Sequence, residues 1–448
     1  MPQVAAVTER LAQLVITTQW DDLPPQVTHQ AKRSLMNFFA VALTGCRDQT
    51  VETLLASLAA FSGGKQATLL GRRERLDALG AAFLNAAGSN VLDFCDTHVP
   101  TAIHPTAPLA PALFALAELQ RVSGRDLILA FVLGQEVECR IGLAMSPSHY
   151  NKGWHITATC GVFGAAAGSG KLLQLSPAQM VWALGIAATQ AAGLCECLGT
   201  PAKSVGVGNA ARNGLWSALL AAKNFAGPAE PLTGAQGYYK ALGETPDLSW
   251  LTDDLGKTWD IMGTSYKPYP CGFVLHPVLD CVLDWRREHP NAVIEKVVVT
   301  GNPLLSVRAD RPNISTGRES QVSVQHAVAA ALATGKSGLD QFTDACVTDP
   351  EVLALRGKVE VVRDERFETT AAAVAITTAG GETFELSQPF ARGSVANPMT
   401  DQDLEDKLRA AAESWNPRHN IAPLITAIWG LETCDDVSKL ATLTVPRD

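Results

Sequence analysis

The apolar positions follow a helical rhythm for most of the chain and an alternating one only in a late block. Val7, Leu11, Leu14 and Val15 recur at i, i+4, i+7 and i+8, which predicts an amphipathic helix. Asp22-Leu-Pro-Pro25 interrupts it. Ala31, Leu35, Phe38, Phe39 and Leu43 then form the stripe of a second helix, closed by Thr44-Gly45. Further helices are predicted over 77–90, 105–122, 125–145, 178–197 and 207–226, with Gly199-Thr-Pro-Ala-Lys203 as the loop joining the last two. Pro105, Pro108 and Pro111 are read as the entry of the 105–122 helix, where a missing N–H is best tolerated. The stretch from Gly153 to Leu173 is so rich in Ala and Gly that it predicts a helix packed closely on its neighbours. It misses the phosphate-loop spacing, and Gly206-Val-Gly208 lacks the preceding strand that a dinucleotide fingerprint needs.

Near Lys267 the pattern shifts. A helix is predicted over 274–288. Val293–Thr300, Val359–Arg363, Ala373–Thr377 and Thr383–Leu386 then read as strands, the last two joined at Ala379-Gly-Gly381. Helical stretches from His326 to Thr334 and around 339–345 lie between them. After Asn397-Pro-Met-Thr400 the helical period returns, to about Trp415 and again over 422–430. The expected fold is therefore mainly α: a large all-helical domain (1–266 and 396–448) with a smaller α+β lid domain (267–395). The cleft between the two parts is the expected ligand site.

Composition narrows the function. With 47 % apolar and 18 % charged residues the 448-residue chain can bury a large core and is not disordered. A net charge of -9 leaves no basic footprint for nucleic acid. None of the ten cysteines forms a CxxC pair, and Cys195-Glu-Cys197 stands alone with no nearby His, which is a poor metal site. Free thiols, the absence of a secretory leader pattern and the absence of a membrane-length apolar run lead us to expect a cytoplasmic chain with no membrane partner.

The densest polar cluster runs from Asp93-Phe-Cys-Asp-Thr97 through His98 to His104-Pro105, with apolar flanks on both sides. If its first part is helical, Asp93, Asp96 and Thr97 share one face. Polar groups this concentrated are costly to bury unless paired, so they form either a satisfied network or a reaction site. Four further places show the same signature: His155 with Thr157 and Thr159, Lys203 in a nearly charge-free neighbourhood, Lys267-Pro-Tyr269-Pro-Cys271, and His276. Carboxylate, imidazole and ammonium groups together suit proton transfer at a carbon beside a carboxylate. Cations stabilise the developing charge, a neutral His moves the proton, and Asp93 fixes an imidazole. No metal-ligand spacing or redox motif is present, so neither a metal nor a cofactor is expected.

These blocks resemble the MmgE/PrpD family of 2-methylcitrate dehydratases, iminodisuccinate epimerases and cis-aconitate decarboxylases. The resemblance rests on Trp20-Asp-Asp-Leu-Pro24, Asp93–Thr97 with His104-Pro105, Gly153-Trp-His155 with Gly161, Gly199–Lys203, Lys267–Cys271 with His276, and Asn397–Thr400. It implies a homodimer and cofactor-free chemistry on a small di- or tricarboxylate. It also implies a site lined by Asp93, Thr97, His104, His155, Lys203, Lys267 and His276. This chain has Cys95 where relatives commonly carry an acidic residue. It has Val322-Ser-Val-Gln-His326 where they carry a tyrosine after Phe-Ser-x-Pro. Those departures weigh toward an epimerase, with His326 as a second acid/base. The expectation is thus an isomerase acting on an iminodisuccinate-like substrate, with Asp93, His104, His155, Lys203 and Lys267 as catalytic residues. Thr97, His98, Tyr269, Cys271, His276 and His326 are the expected substrate-binding residues. The alternatives are a hydro-lyase of the 2-methylcitrate dehydratase type and a cis-aconitate-type decarboxylase.

Overall fold

Small side chains at helical spacing decide how tightly the first part of the molecule packs. The computed structural model describes residues 7–446, and it divides into two units. The first comprises Met1–Val91, Cys95–Thr264 and Asp401–Asp448. Its helices are α1 (Val7–Thr17), α2 (Pro25–Gly45), α3 (Gln49–Ala59), α4 (Ala78–Asn90), α5 (Thr106–Ala117), α6 (Gly124–Leu143), α7 (Ser148–Asn151), α8 (Ile156–Leu172), α9 (Pro177–Ala188), α10 (Ala202–Ala222) and α11 (Tyr238–Leu242). The short strands β1 (Ala67–Thr68) and β2 (Arg75–Leu76) pair as a hairpin, and β3 is Thr97–His98.

Helix α8 is the axis of this unit. Every residue from Ile156 to Gly170 is buried. It packs against α5, α6, α9 and α10 because its glycines and theirs let the backbones approach. A Cβ on Gly214 of α10 would fall 2.5 Å from the Ala165 Cβ and 2.6 Å from the Val162 carbonyl oxygen. One on Gly206 would lie 3.3 Å from the Ala158 Cβ. Gly161 meets Pro108 of α5, and Gly168 meets Leu109 and Leu113. Residue numbers rise together along both interfaces, so α5, α8 and α10 run parallel. The partners on α6 run the other way, Gly164 against Gly134 and Gly168 against Ala130.

The second unit is Leu92–Phe94 with Ser265–Thr400; strand β4 (Thr264–Ser265) stands at its start in sequence. It contains α12 (His276–Glu288), α13 (Pro303–Ala309), α14 (Gly317–Ser320), α15 (Val324–Thr334), α16 (Asp344–Val347) and α17 (Pro350–Arg356). Strands β5 (Ile294–Gly301), β6 (Val359–Arg363), β7 (Ala372–Thr378) and β8 (Thr383–Gln388) form a sheet in the order β6-β5-β7-β8. β5 pairs parallel to β6 and antiparallel to β7, and β7 pairs antiparallel to β8. Gly381 adopts φ +85° in the β7–β8 turn, a conformation glycine takes without steric cost. Val297, Val299, Val374 and Ile376 bury one sheet face under Leu279, Val282 and Trp285 of α12 and Val324 and Val328 of α15. Each such side chain contributes roughly 1.5–3 kcal/mol.

After the sheet, α18 (Asp401–Trp415), α19 (Ala422–Trp429) and α20 (Ser438–Thr442) belong to the first unit, with α18 packed on α2. Among the described residues no helix is long and apolar enough to cross a membrane.

The chain is mainly α with a smaller α+β part, as expected, but several local readings change. The Asp93–Thr97 stretch is not helical. α4 ends at Asn90, Asp93 takes the left-handed φ of +50°, and Thr97–His98 is extended, so Asp93, Asp96 and Thr97 share no helix face. Lys203 lies inside the first turn of α10 rather than in a loop. Pro201 starts that helix, and Gly208, inside the helix predicted over 207–226, is pressed on Phe83. α9 stops at Ala188 instead of 197, because Gly193 at φ +152° returns the chain toward α8. Pro111 lies within α5 rather than at its entry.

Close approach of α10 to α8 sets a test. Gly214→Ala should cost about 1–3 kcal/mol through the clash it forces. Gly63→Ala, at a position with nothing within 4 Å of the new Cβ, should leave stability unchanged. Urea denaturation midpoints of the two variants check this.

Candidate active site

Three parallel helices bring three of the expected residues to one end of the first unit. His104 precedes α5, His155 is the N-cap of α8, and Lys203 is the second residue of α10. The His104 main-chain N–H donates to the Thr157 hydroxyl at 3.1 Å, tying the start of α5 to the first turn of α8. The N-cap residues of α8 and α10, His155 and Pro201, place no side-chain cap on their own helices. Helix N-termini of this kind, beside a lysine and two imidazoles, favour carboxylates.

The His104 ring is fixed from behind. Its Nδ1 lies 2.8 Å from the Asp96 carbonyl oxygen and 3.2 Å from the Thr97 hydroxyl. A carbonyl only accepts, so the neutral ring carries its proton on Nδ1 and presents its lone pair at Nε2. Asp96 is fully buried and accepts from the Thr106 hydroxyl, and the Thr106 main-chain N–H also favours its charged form. Burial pushes its carboxyl up to about 6. His155 is almost wholly buried. Its main-chain N–H donates to the Gly193 carbonyl at 3.0 Å, which brings the loop after α9 against the start of α8.

His98, expected to touch substrate, is engaged in its own turn. Its Nδ1 lies 2.9 Å from the Thr101 hydroxyl, and its Nε2 lies 3.7 Å from the Asp260 carboxylate. Burial lowers its pKa to about 4. Asp260 in turn belongs to a network that the sequence did not disclose. Its N–H donates to Glu136, and Arg140 holds Glu136 at 2.5 Å and the carbonyls of Trp250 and Asp253 at 2.8 and 2.9 Å. Burial and the Asp260 charge push Glu136 up to about 7. The available signal was two glutamates and an arginine inside the otherwise apolar run 127–143.

In the second unit, Asp93 and Lys267 form one pair. The buried Lys267 Nζ donates to the Asp93 carboxylate at 3.0 Å and to the Asp93 carbonyl at 3.1 Å. The left-handed backbone of Asp93 presents both oxygens to one ammonium. Further along the same strip, the Tyr269 hydroxyl donates to Asp280 at 2.7 Å, and burial together with that carboxylate raises the phenol. His276 opens α12 with its Nε2 3.3 Å from the Cys271 carbonyl oxygen, its ring against Tyr269 and Phe273. Burial raises the Cys271 thiol far out of the reactive range. His326 sits in α15, fully buried, with its Nε2 2.7 Å from the Gln341 carbonyl oxygen and its ring beside Phe342; burial lowers its pKa. The expected residues thus fall into a set at the helix N-termini, the Asp93–Lys267 pair, the Tyr269–His276 strip, and two histidines held in local packing.

Comparison with known proteins places both parts of the chain in one family of sequences. The MmgE/PrpD N-terminal domain matches residues 9–251 and the MmgE/PrpD C-terminal domain matches 269–429. The chain is 29 % identical to a cis-aconitate decarboxylase-like protein, oryM, of Aspergillus oryzae, over 98 % of this chain and 97 % of that one. It is 28 % identical to the cis-aconitate decarboxylase of Mus musculus, over 98 % of this chain and 93 % of the relative. It is likewise 28 % identical to that of Aspergillus terreus, over 98 % and 96 %.

The buried His98 gives a pH test. Its folded pKa of about 4 lies below the ordinary imidazole value of 6.5, so the unfolded chain binds the proton first and stability falls as pH drops from 6.5 toward 4. This group alone should remove about 2–3 kcal/mol by pH 4.5. His98→Gln should therefore lose less stability than the parent between pH 7 and 4.5, as read from urea midpoints at the two values.

Proposed function

This chain belongs to the MmgE/PrpD family, and on that premise we propose that it is a lyase that decarboxylates a small tricarboxylate of the cis-aconitate class. One observation carries the reading: full-length similarity to several relatives, each named for that reaction. The epimerase expected from the departures at Cys95 and His326 gives way to the lyase alternative, because the relatives on which the comparison rests are decarboxylases.

The geometry supports the chemistry at the level of charge. A tricarboxylate trianion needs cations and oriented N–H groups, and the N-termini of α8 and α10 with Lys203 supply both. When CO₂ leaves, the pair from the broken C–C bond must be stabilised and a carbon must then take up a proton. Lys203 and the helix N-termini stabilise the carboxylates of that anionic state. His104, with Nδ1 fixed by a carbonyl, exchanges the proton at Nε2. His155 binds a substrate carboxylate and Thr97 orients the His104 ring. Lys267, with its ionic partner Asp93, is a second proton-transfer candidate. In this reading the working enzyme is a cytoplasmic homodimer that uses no cofactor.

Carbon NMR of the purified protein with labelled cis-aconitate tests the reading. We expect one CO₂ released for each substrate consumed. In Lys203→Ala and His104→Asn, kcat should fall about 10²–10³-fold while the fold is retained. Deuterium entry at the α-carbon of a single dicarboxylate stereoisomer in heavy water, without CO₂ release, would return the assignment to the epimerase.

A further inference from the structure

Behind His104 lies a second buried carboxyl that the proposed chemistry does not use. Glu138 of α6 is fully buried, and among the described residues neither of its carboxyl oxygens has a hydrogen-bond partner. The neighbouring helix is cleared for it. A Cβ on Gly164 would fall 2.4 Å from the Glu138 Oε2, and one on Gly161 would fall 3.4 Å from it. The groups that act on Glu138 and its surroundings are few. Asp96 raises it electrostatically, and Cys139 and Cys160 in turn feel its charge. On its own helix, Glu136 and Arg140 are paired with each other. The cation acting on this region is Lys407 of α18, which works on Asp96 and donates to the Asn37 side chain at 2.7 Å.

Glu138 and Pro108 crowd the same point beside Gly161, and Pro108 lies two residues from the Thr106 that holds Asp96, so the two carboxyls share one buried layer where a second charge is costly. The structure distinguishes them. Asp96 receives the Thr106 hydroxyl and main-chain N–H and the field of Lys407, and each of these favours its charged form. Glu138 receives no donor, and a neutral acid is far less costly to bury than an ion. We propose that Asp96 and Glu138 form a buried acid pair holding a single proton, carried by Glu138, and that the charge left on Asp96 positions His104. The Asp96 carboxylate grips the first turn of α5 while its carbonyl takes the His104 Nδ1–H, so the chain closes a ring around the imidazole. Protonating Asp96 loosens that grip. The direction of the shifts agrees, since burial raises both groups and the Asp96 charge raises Glu138 further.

The proton's location is tested without any activity measurement. Infrared difference spectra of wild type against Glu138→Gln at about pH 8 should show a protonated-carboxyl carbonyl band that the variant lacks. Absence of that band overturns the pair. If Glu138→Gln does not fold, Glu138→Asp should shift the band in frequency, and an unshifted band overturns the pair. The positioning role rests on the proposed function, and the pH profile of kcat tests it. Glu138→Gln, a neutral isostere, should keep kcat within about threefold and keep the acid limb of the profile. Asp96→Asn should lose that limb near pH 6 and lower kcat about tenfold with KM little changed. An acid limb that persists in Asp96→Asn overturns the positioning role and leaves the infrared result standing.

Discussion

Everything at the candidate site depends on the distance at which helix α8 can approach its neighbours. Its glycines and those of α6 and α10 bring backbone against backbone, and those facing α5 make room for Pro108, Leu109 and Leu113. At such contacts there is no side-chain layer to absorb error. A single added methyl would meet main-chain oxygen. That constraint fixes register as well as distance. It sets His104, His155 and Lys203 level with one another, because each stands at or near the start of one of three helices that run the same way. Residues about fifty positions apart in the chain are thus aligned by groups that carry no functional side chain at all.

The polar residues follow a different logic in each unit. At the helix N-termini the positive character comes largely from the aligned peptide dipoles, which need no counter-charge to be stable. At Lys267 it comes from an ammonium that would be costly to bury alone, and the turn at Asp93 supplies two oxygens to one nitrogen. Asp tolerates the left-handed conformation better than most residues, and this position uses that tolerance. Removing Asp93 would therefore leave a buried, poorly compensated cation, a larger disturbance than the loss of one surface ion pair.

Much of the architecture was legible in the chain. Helical periodicity, the late change to alternation and the return after Thr400 located nearly all the main elements, since each rests on local spacing. The polar blocks were also legible, because Asp, His and Lys in an apolar setting demand a reason. Other features depended on packing that spacing does not encode. Lys203 reads as a loop residue between two helices, and only the start of α10 at Ala202 puts it in the first turn of a helix. His98 and His326 carry the same chemical signature as His104, and only their partners separate them: a threonine hydroxyl in a tight turn, a carbonyl inside a hydrophobic layer, and a carbonyl behind a helix start. Glu138 was hidden for the opposite reason. It stands in an apolar run where one acidic residue looks like an exposed position, and burial of an unpaired carboxyl is not a property of sequence pattern.

The placement of α18 on α2 has a consequence for how the molecule is made. The Lys407 ammonium and the Asn37 side chain meet across 370 residues of chain. A ribosome must therefore release the whole sheet-bearing segment before the apolar stripe of α2 finds its last partner. The second unit is nearly continuous in sequence and can settle while synthesis proceeds, whereas the first stays open at that seam until the final helices emerge. Until then the side of α2 that carries Arg33 and Asn37 waits for Asp401 and Lys407.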